Sequence, residues 1–320
     1  MSTNDLIYSG SVKDIYESDS DIIFKFTDRY SIFDWGEMPD KIKNKGKNLA
    51  TMGSLFFEYL NHFNIPNHYL GFDHNTLKVK KIHVPYQNPK SFYSLNSRAC
   101  LIPLEIIFRF KIYNRATFDE RINRDEFQSI DFSIEEFNEP LVEFSTKLEP
   151  SDRYIDYQEA QEIAALSDEE FHSLMTLSKN IAYLLQELFS KENLKLIDGK
   201  LEFALDENRN VFLVDTIGLD ELRIEKNNIL LSKEFLRDFY KNSDWFKDLK
   251  AYKQSYPQTW KEEMMNREIF PSKLPENILN QTQDLYTAFT NTLSRLVGEK
   301  TNDDQYQVQH YFQQYYKGQQ

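Results

Sequence analysis

The stretch Leu196-Ile197-Asp198-Gly199-Lys200-Leu201-Glu202-Phe203-Ala204-Leu205, followed after a polar loop by Val211-Phe212-Leu213-Val214-Asp215, decides how the rest of the chain is read. Successive side chains of a β-strand point to opposite faces, so Lys200 and Glu202 share one face while Leu201, Phe203 and Leu205 share the other. Asp206-Glu207-Asn208-Arg209-Asn210 has the composition of a hairpin loop. Short strands are expected at 194–197, 200–205 and 211–214. The last of them runs into Asp215, beside the Lys–Glu face. An ammonium and two carboxylates gathered in this way suit a polyphosphate and Mg2+, a hard cation that takes oxygen ligands. The same alternation also fits an ordinary half-exposed antiparallel pair with a cross-strand ion pair.

Upstream, Ser167-Asp168-Glu169-Glu170 has the pattern of a capping box. It opens a helix with Phe171, Leu174, Ile181, Leu184, Leu185 and Leu188 on one side, running to about residue 191. Residues 99–108 form an apolar, strand-like run interrupted by Pro103, and 117–138, rich in acids and aromatics without a period, read as an irregular insertion. In the first hundred residues, strands are expected at 12–16, 21–26 and 77–84. They surround one amphipathic helix at about 47–63, with Leu49, Met52, Leu55, Phe56, Tyr59, Leu60 and Phe63 at helical spacing and Pro66 stopping it. Lys78 to Lys81 read as solvated edge charges, and of the alternating Lys41, Lys43, Lys45 and Lys47 only Lys45 is expected to matter. Beyond Ser232 the chain is mostly helical, most clearly at 234–240 and 276–296. Trp245 and Trp260 read as packing residues there, and the Gln/Tyr-rich last dozen residues are expected to fray.

The 320 residues are 40% apolar and 28% charged, enough for a sizeable core. A net charge of −13 argues against nucleic acid and anionic lipid as partners. Cys100 is the single cysteine, which excludes an intramolecular disulfide and a multi-cysteine zinc site. The nine glycines form neither G-x-G-x-x-G nor G-x-x-x-x-G-K-[ST]; H-E-x-x-H and G-x-S-x-G are missing too. Without an apolar run near ~18 residues or a basic-then-apolar start, a soluble, cytoplasmic globular protein is expected.

Seven segments, in chain order, resemble the motifs of one known family. Tyr8-Ser9-Gly10-Ser11-Val12-Lys13-Asp14-Ile15-Tyr16 resembles a tyrosine followed by G-K-x-K/R-x-x-Y. Asp28-Arg29-Tyr30-Ser31-Ile32-Phe33-Asp34 is similar to D-R-x-S-A-F-D, and Lys45-Gly46 stands where the family has K-G before a helix. Ile102-Pro103-Leu104-Glu105-Ile106-Ile107-Phe108-Arg109 resembles V-P-x-E-x-x-x-R, and Ser145-Thr146-Lys147 is similar to S-T-K. The most specific likeness is Asp198-Gly199-Lys200-Leu201-Glu202-Phe203-Ala204-Leu205 with Asp215 to Arg223, against D-x-K-x-E-F-G-L and D-E-x-x-P-D-x-x-R. Ser232-Lys233-Glu234-Phe235-Leu236-Arg237-Asp238 resembles S-K-Q-x-x-R-D. In these segments the chain resembles the SAICAR synthetase family, the purine-pathway ligases.

This resemblance implies an α+β fold: an N-terminal, mainly antiparallel domain (1–98), a central α/β domain (99–232), an ATP cleft between them, and a C-terminal helical region (233–320). It implies an ATP-dependent ligase that joins aspartate to carboxyaminoimidazole ribotide through an acyl phosphate, with ATP and Mg2+ as cofactors, and a homo-oligomer is possible. Gly10, Ser11, Lys13, Leu101, Leu104, Glu105 and Lys200 would contact ATP, and Glu202 and Asp215 would hold Mg2+. Asp34, Lys45, Arg109, Arg115, Lys147, Asp220 and Arg223 would line the acceptor and amine sites. Lys13, Lys200, Asp220 and Arg223 form the catalytic set.

The likeness breaks in places. Gly10-Ser11 replaces G-K, Asn114-Arg115 stands where a Gly-Ser pair seats the ribotide phosphate, Asp152-Arg153 replaces H-D, and Asp215-Thr216 replaces D-E. The ATP side is thus kept better than the acceptor side. Arg115 and Lys111 rebuilding phosphate recognition, and a paralogue that joins a different carboxylate, are both open. A small-molecule kinase and a nucleotide-binding protein without catalysis are further alternatives.

Overall fold

The computed structural model describes residues 5–86, 89–115, 118–119, 122, 124–127, 131–149, 152–298 and 306–316. Along the chain run β1 (Asp5–Ser9), β2 (Lys13–Glu17), β3 (Asp21–Phe26), α1 (Lys45–His62), β4 (Tyr69–Asp73), β5 (Thr76–Lys80) and the single turn α2 (Pro89–Phe92). Then follow β6 (Cys100–Leu101), β7 (Leu104–Lys111), β8 (Glu136–Thr146), β9 (Tyr154–Ile155), α3 (Tyr157–Ala164) and α4 (Asp168–Ser190). The remainder comprises β10 (Lys195–Leu205), β11 (Val211–Val214), β12 (Leu222–Lys226), α5 (Glu234–Lys241), α6 (Asp244–Ser255), α7 (Trp260–Asn266), α8 (Glu276–Leu296) and α9 (Val308–Tyr315). The fold is α+β. It clusters into two units, one of residues 1–52, 71–78 and 229–320, the other of 53–70 and 79–228.

In the first unit the strands lie in the order β1-β2-β3-β5-β4. The period-2 pattern of Asp21–Phe26 buries Ile22, Phe24 and Phe26. A tight turn joins β1 to β2, where Gly10 N–H donates to the Lys13 carbonyl at 2.9 Å. α8 buries Leu285, Tyr286, Phe289 and Leu293. The expected fraying of the last residues is corrected over 308–316: Tyr311 and Phe312 are apolar enough to fold this stretch into α9, which packs on α8. Trp245 packs edge-on against Trp35 at 5.6 Å between ring centroids.

The second unit is built on one long strand. The two strands expected at 194–197 and 200–205 are a single strand, β10, which passes through Asp198-Gly199 without a break. Gly199 allows this, because a Cβ there would stand 2.4 Å from the Phe108 ring and 2.6 Å from Leu222. β12, β10, β7, β8 and β9 lie in that order, with β6 and β11 also paired to β10. The pairings of β10 and β7 are antiparallel. α4 covers this sheet with Leu174, Ile181, Leu185 and Leu188. Its capping box forms as expected: Ser167 Oγ accepts from Glu170 N–H while the Glu170 carboxylate accepts from Ser167 N–H at 2.8 Å. The strand expected at 77–84 ends at Lys80, and His83 leaves the sheet to bridge Cys100. Part of the irregular stretch expected at 117–138 lies outside the described residues; β8 claims its last residues, from Glu136.

Candidate active site

Register decides which polar residues meet. Asp198 pairs with Arg109 and Lys200 with Ile107 across β10 and β7; Glu105 pairs with Ser145 and Ile107 with Glu143 across β7 and β8. With a period of 2, one face of the sheet therefore carries Glu105 and Arg109, Glu143 and Ser145, and Asp198, Lys200 and Glu202. Lys147 follows β8 on the same alternation. The residues between them, such as Leu104, Ile106 and Phe108, are fully buried.

At one end of this face, Glu202 Oε1 accepts from Lys147 Nζ at 2.7 Å and from Lys200 Nζ at 2.8 Å. Lys200 Nζ also donates to Glu105 Oε1 at 2.7 Å, and Lys147 Nζ stands 3.8 Å from that oxygen. Burial would raise the Glu202 carboxyl, but the two ammonium groups outweigh it and hold the group well below the usual carboxylate range. Burial would lower Lys200, yet Glu202, Glu105 and Asp215 carry it well above its ordinary value, and Lys147 is raised by the same kind of balance. Asp215 follows Val214, the partner of Glu202, and adopts φ +58°. Its carbonyl accepts from His68 Nε2 at 2.9 Å, which fixes that nitrogen as the protonated one.

At the other end, Arg109 is 4% exposed and donates from Nε to Glu143 at 2.8 Å and from Nη1 to Asp198 Oδ2 at 2.6 Å. Arg223 donates to the same oxygen of Asp198 at 2.7 Å, and its guanidinium lies 5.5 Å from the centre of the Tyr113 ring. Burial would lower the Arg109 guanidinium, but Asp198 and Glu143 raise it above its ordinary value. Arg115 donates to the Phe132 carbonyl at 2.6 Å and stands 3.8 Å from Asp119. Asp220 lies half-buried in the turn that leads into β12. In the segment from Leu101 to Leu104, Leu101 N–H donates to His83, Ile102 N–H to Phe203 and Leu104 N–H to Ile102. The Leu101 carbonyl accepts from Tyr93 Oη at 2.7 Å.

In the first unit, Gly10 and Ser11 form the turn before Lys13, whose Nζ lies 4.3 Å above the Phe24 ring. Asp34 is exposed and accepts from Lys253 Nζ at 2.7 Å. Lys45, at the start of α1, is 1% exposed with its Nζ 5.3 Å from the Tyr286 ring.

Glu143, Asp198 and His68 are absent from the residues singled out above. The alternation that finds Lys200 and Glu202 also reaches Asp198 two residues earlier, and Glu143-Phe144-Ser145-Thr146-Lys147 alternates in the same way. No local pattern marks His68, which reaches Asp215 from 147 residues away. Among the described residues no group of three or more His, Cys, Asp or Glu is arranged to hold a metal ion. Glu202 and Asp215 supply two carboxylates, a donor set that fits Mg2+, since this ion keeps waters and takes phosphate oxygens rather than a full protein cage. A cavity of about 820 Å3 lined by Phe110, Tyr183, Gln186 and Lys195, among others, contains none of these clusters.

Comparison with known proteins agrees with this architecture. The SAICAR synthetase family model matches residues 6–252. A relative from Archaeoglobus fulgidus is 36% identical over 294 residues, 85% of this chain and 87% of its own. The phosphoribosylaminoimidazole-succinocarboxamide synthase of Thermoplasma acidophilum is 31% identical over 312 residues, 92% of this chain and 99% of its own. Two solved structures share the fold. The SAICAR-synthase from Saccharomyces cerevisiae complexed with SAICAR has a TM-score of 0.64 at 20% identity, covering 93% of this chain and 96% of that one. A SAICAR synthetase in complex with ADP has 0.57 at 23% identity, covering 84% and 99%. The chain belongs to the SAICAR synthetase family, a family of ATP-dependent ligases. No helix among the described residues is long and apolar enough to cross a membrane.

Proposed function

We propose that the chain is itself a SAICAR synthetase, joining carboxyaminoimidazole ribotide to L-aspartate with conversion of ATP to ADP and phosphate in purine biosynthesis. The observation that carries this reading is the pair of ammonium groups, Lys147 and Lys200, gathered on the buried Glu202 carboxylate beside Asp215. Phosphoryl transfer needs fixed positive charge where phosphate oxygens gather charge, and here it is held in place before a ligand arrives. The relatives' names and the neighbour solved with ADP support the same assignment.

An unactivated carboxylate does not form an amide in water. In the reaction proposed here, a carboxylate oxygen of the ribotide attacks the γ-phosphorus of ATP, the bond to the β-phosphate oxygen breaks, and ADP leaves. The aspartate amine then attacks the carbonyl carbon of the acyl phosphate; the C–O bond breaks, phosphate leaves, and the amine proton passes to solvent. Lys200, Lys13 and the Gly10-Ser11 turn are assigned to the ATP phosphates, Glu105 to orienting Lys200, and Leu101 and Leu104 to the adenine. Glu202 and Asp215 would hold Mg2+, which supplies charge neutralisation on the phosphates. Asp34, Lys147, Arg115 and Asp220 are assigned to the two carbon substrates. Arg109, Lys45 and Arg223 are assigned to anionic groups of the same substrates, Arg223 being the partly exposed one. The functional partition 1–98, 99–232 and 233–320, the possible homo-oligomer and the cytoplasmic location belong to the same reading.

Arg115 favours a second reading. Its guanidinium is engaged by the Phe132 carbonyl and Asp119, where the family motif has a serine. A paralogue that joins another carboxylate would make no demand on it. The test is ADP release with Mg-ATP, carboxyaminoimidazole ribotide and L-aspartate, each omitted in turn. Turnover that needs all three supports the synthetase. Binding of Mg-ATP without turnover favours the paralogue, and no ATP binding sinks both ligase readings.

A further inference from the structure

The loop before Trp35 is held in an unusual shape. Phe33 and Asp34 have φ of +56° and +63°, and Gly36 has +96°. L-residues rarely adopt that region, and a bulky Phe does so only where its surroundings enforce it. Here the enforcement comes from α6 and α7. The Phe33 ring lies 4.5 Å from Phe246, and Trp35, 5% exposed, packs against Trp245 at 5.6 Å and Trp260 at 6.2 Å. A Cβ on Gly36 would stand 2.9 Å from Lys261 Nζ. At the tip, the Asp34 side chain is 84% exposed, and Lys253 Nζ donates to its Oδ2 at 2.7 Å. Lys253 is itself steadied over the Trp260 ring at 4.8 Å. It is the first residue beyond the matched segment 6–252.

From this arrangement we infer that Lys253 is a positioning residue: it fixes the direction of the Asp34 carboxylate and neutralises it, so that a substrate anion can approach. The inference rests on the reading of Asp34 as a substrate-side residue. An exposed aspartate on a chain of net charge −13 repels anions unless it is paired, and a carboxylate on a left-handed loop has no neighbour on its own strand to orient it.

The test uses the full chain with Lys253→Met, Asp34→Asn and both together. ADP release is followed while ribotide, aspartate and ATP are varied in turn, and amide hydrogen exchange of 33–36 is measured in parallel. Each single variant is expected to raise KM for the ribotide or aspartate about two- to fivefold, in keeping with an exposed ion pair, and to leave KM for ATP within about twofold. The double variant should be no worse than Asp34→Asn, Lys253→Arg should recover most of the loss, and the coupling should fade as salt rises to roughly 0.5 M. A merely structural role would give neither the salt dependence nor the split between substrates. Additive effects, or a silent Lys253→Met beside a damaging Asp34→Asn, overturn the inference and leave Asp34 in its role. A silent Asp34→Asn overturns both. If the unaltered chain does not turn these substrates over, the synthetase reading fails, and exchange at 33–36 decides the brace alone: faster exchange in Lys253→Met supports it, unchanged exchange removes it.

Discussion

Nζ of Lys200 lies 2.8 Å from Oε1 of Glu202, two residues farther along the same strand. Alternation aims both at one face, and burial of Glu202 to 4% exposure keeps water from loosening the pair. The two ends of this contact differ in what depends on them. Lys200→Met leaves Glu202 bound to Lys147, so the fold is expected to survive while turnover falls about 100- to 1000-fold through loss of charge at the phosphates. Glu202→Ala leaves two ammonium groups without their shared partner and is expected to cost about 3–5 kcal/mol of stability. Urea denaturation beside ADP release separates the two; equal losses of stability would remove the distinction.

Arg109 and Arg223 share one oxygen of Asp198 but not one environment. Arg109 is buried with two carboxylates, and Arg109→Met takes its guanidinium from both, leaving Asp198 to Arg223, at an expected cost of about 3–5 kcal/mol. The Arg223 side chain is 31% exposed, and Arg223→Met should cost about 1 kcal/mol or less while raising KM for an anionic substrate. Thermal unfolding of both variants with substrate titration checks this, and a large stability loss in Arg223→Met would speak against a substrate role.

Gly199 is a matter of space. Gly199→Ala places a methyl group against Phe108 and Leu222, with overpacking worth about 1–3 kcal/mol. Phe108→Leu in the same chain should recover part of that loss, and a neutral Gly199→Ala would show that β10 and β7 separate easily.

The pH dependence follows from the Glu202 cluster. A carboxyl lowered in the folded state contributes stability above its unfolded value, about 4.3, and loses it as pH falls toward the lower folded value. Lys200 and Lys147 are raised, so their contribution is whole below about 10.4 and is lost as pH climbs through the folded values. The cluster's contribution to stability should therefore be level from about pH 5 to about pH 10 and fall on both sides. Glu202→Gln should weaken the dependence on both sides, as measured by denaturant midpoints across pH.

Much of this was legible locally. The alternation in 200–205, the Ser167 cap and the spacing of 276–296 are signals within a few residues, and the elements appear where those signals lie. What escaped depends on partners distant in sequence. Arg209 looks like part of an exposed hairpin loop, yet it is 9% exposed, paired to Glu170 at 2.6 Å and bonded to the carbonyls of Ser97 and Ala165. Lys45 is singled out from four alternating lysines, but its burial against Tyr286, 241 residues on, has no local signal. Residues 198–199 read as a gap between two strands, because nothing near them in sequence shows that the glycine makes room for Phe108.

The sharing of Glu202 by two lysines also bears on the order in which ligands arrive. Glu105, Glu202 and Asp215 against Lys147 and Lys200 leave the cluster with one formal negative charge, its cations already occupied by its own anions. On the proposed assignments, a polyphosphate entering alone would compete with those carboxylates for the ammonium groups, whereas a divalent cation held by Glu202 and Asp215 would free the lysines to turn toward phosphate. Metal and nucleotide would then strengthen each other's binding by one and the same factor, because a coupling free energy is reciprocal. On the proposed reading the resting cluster would be a two-key lock, in which each ligand eases the entry of the other.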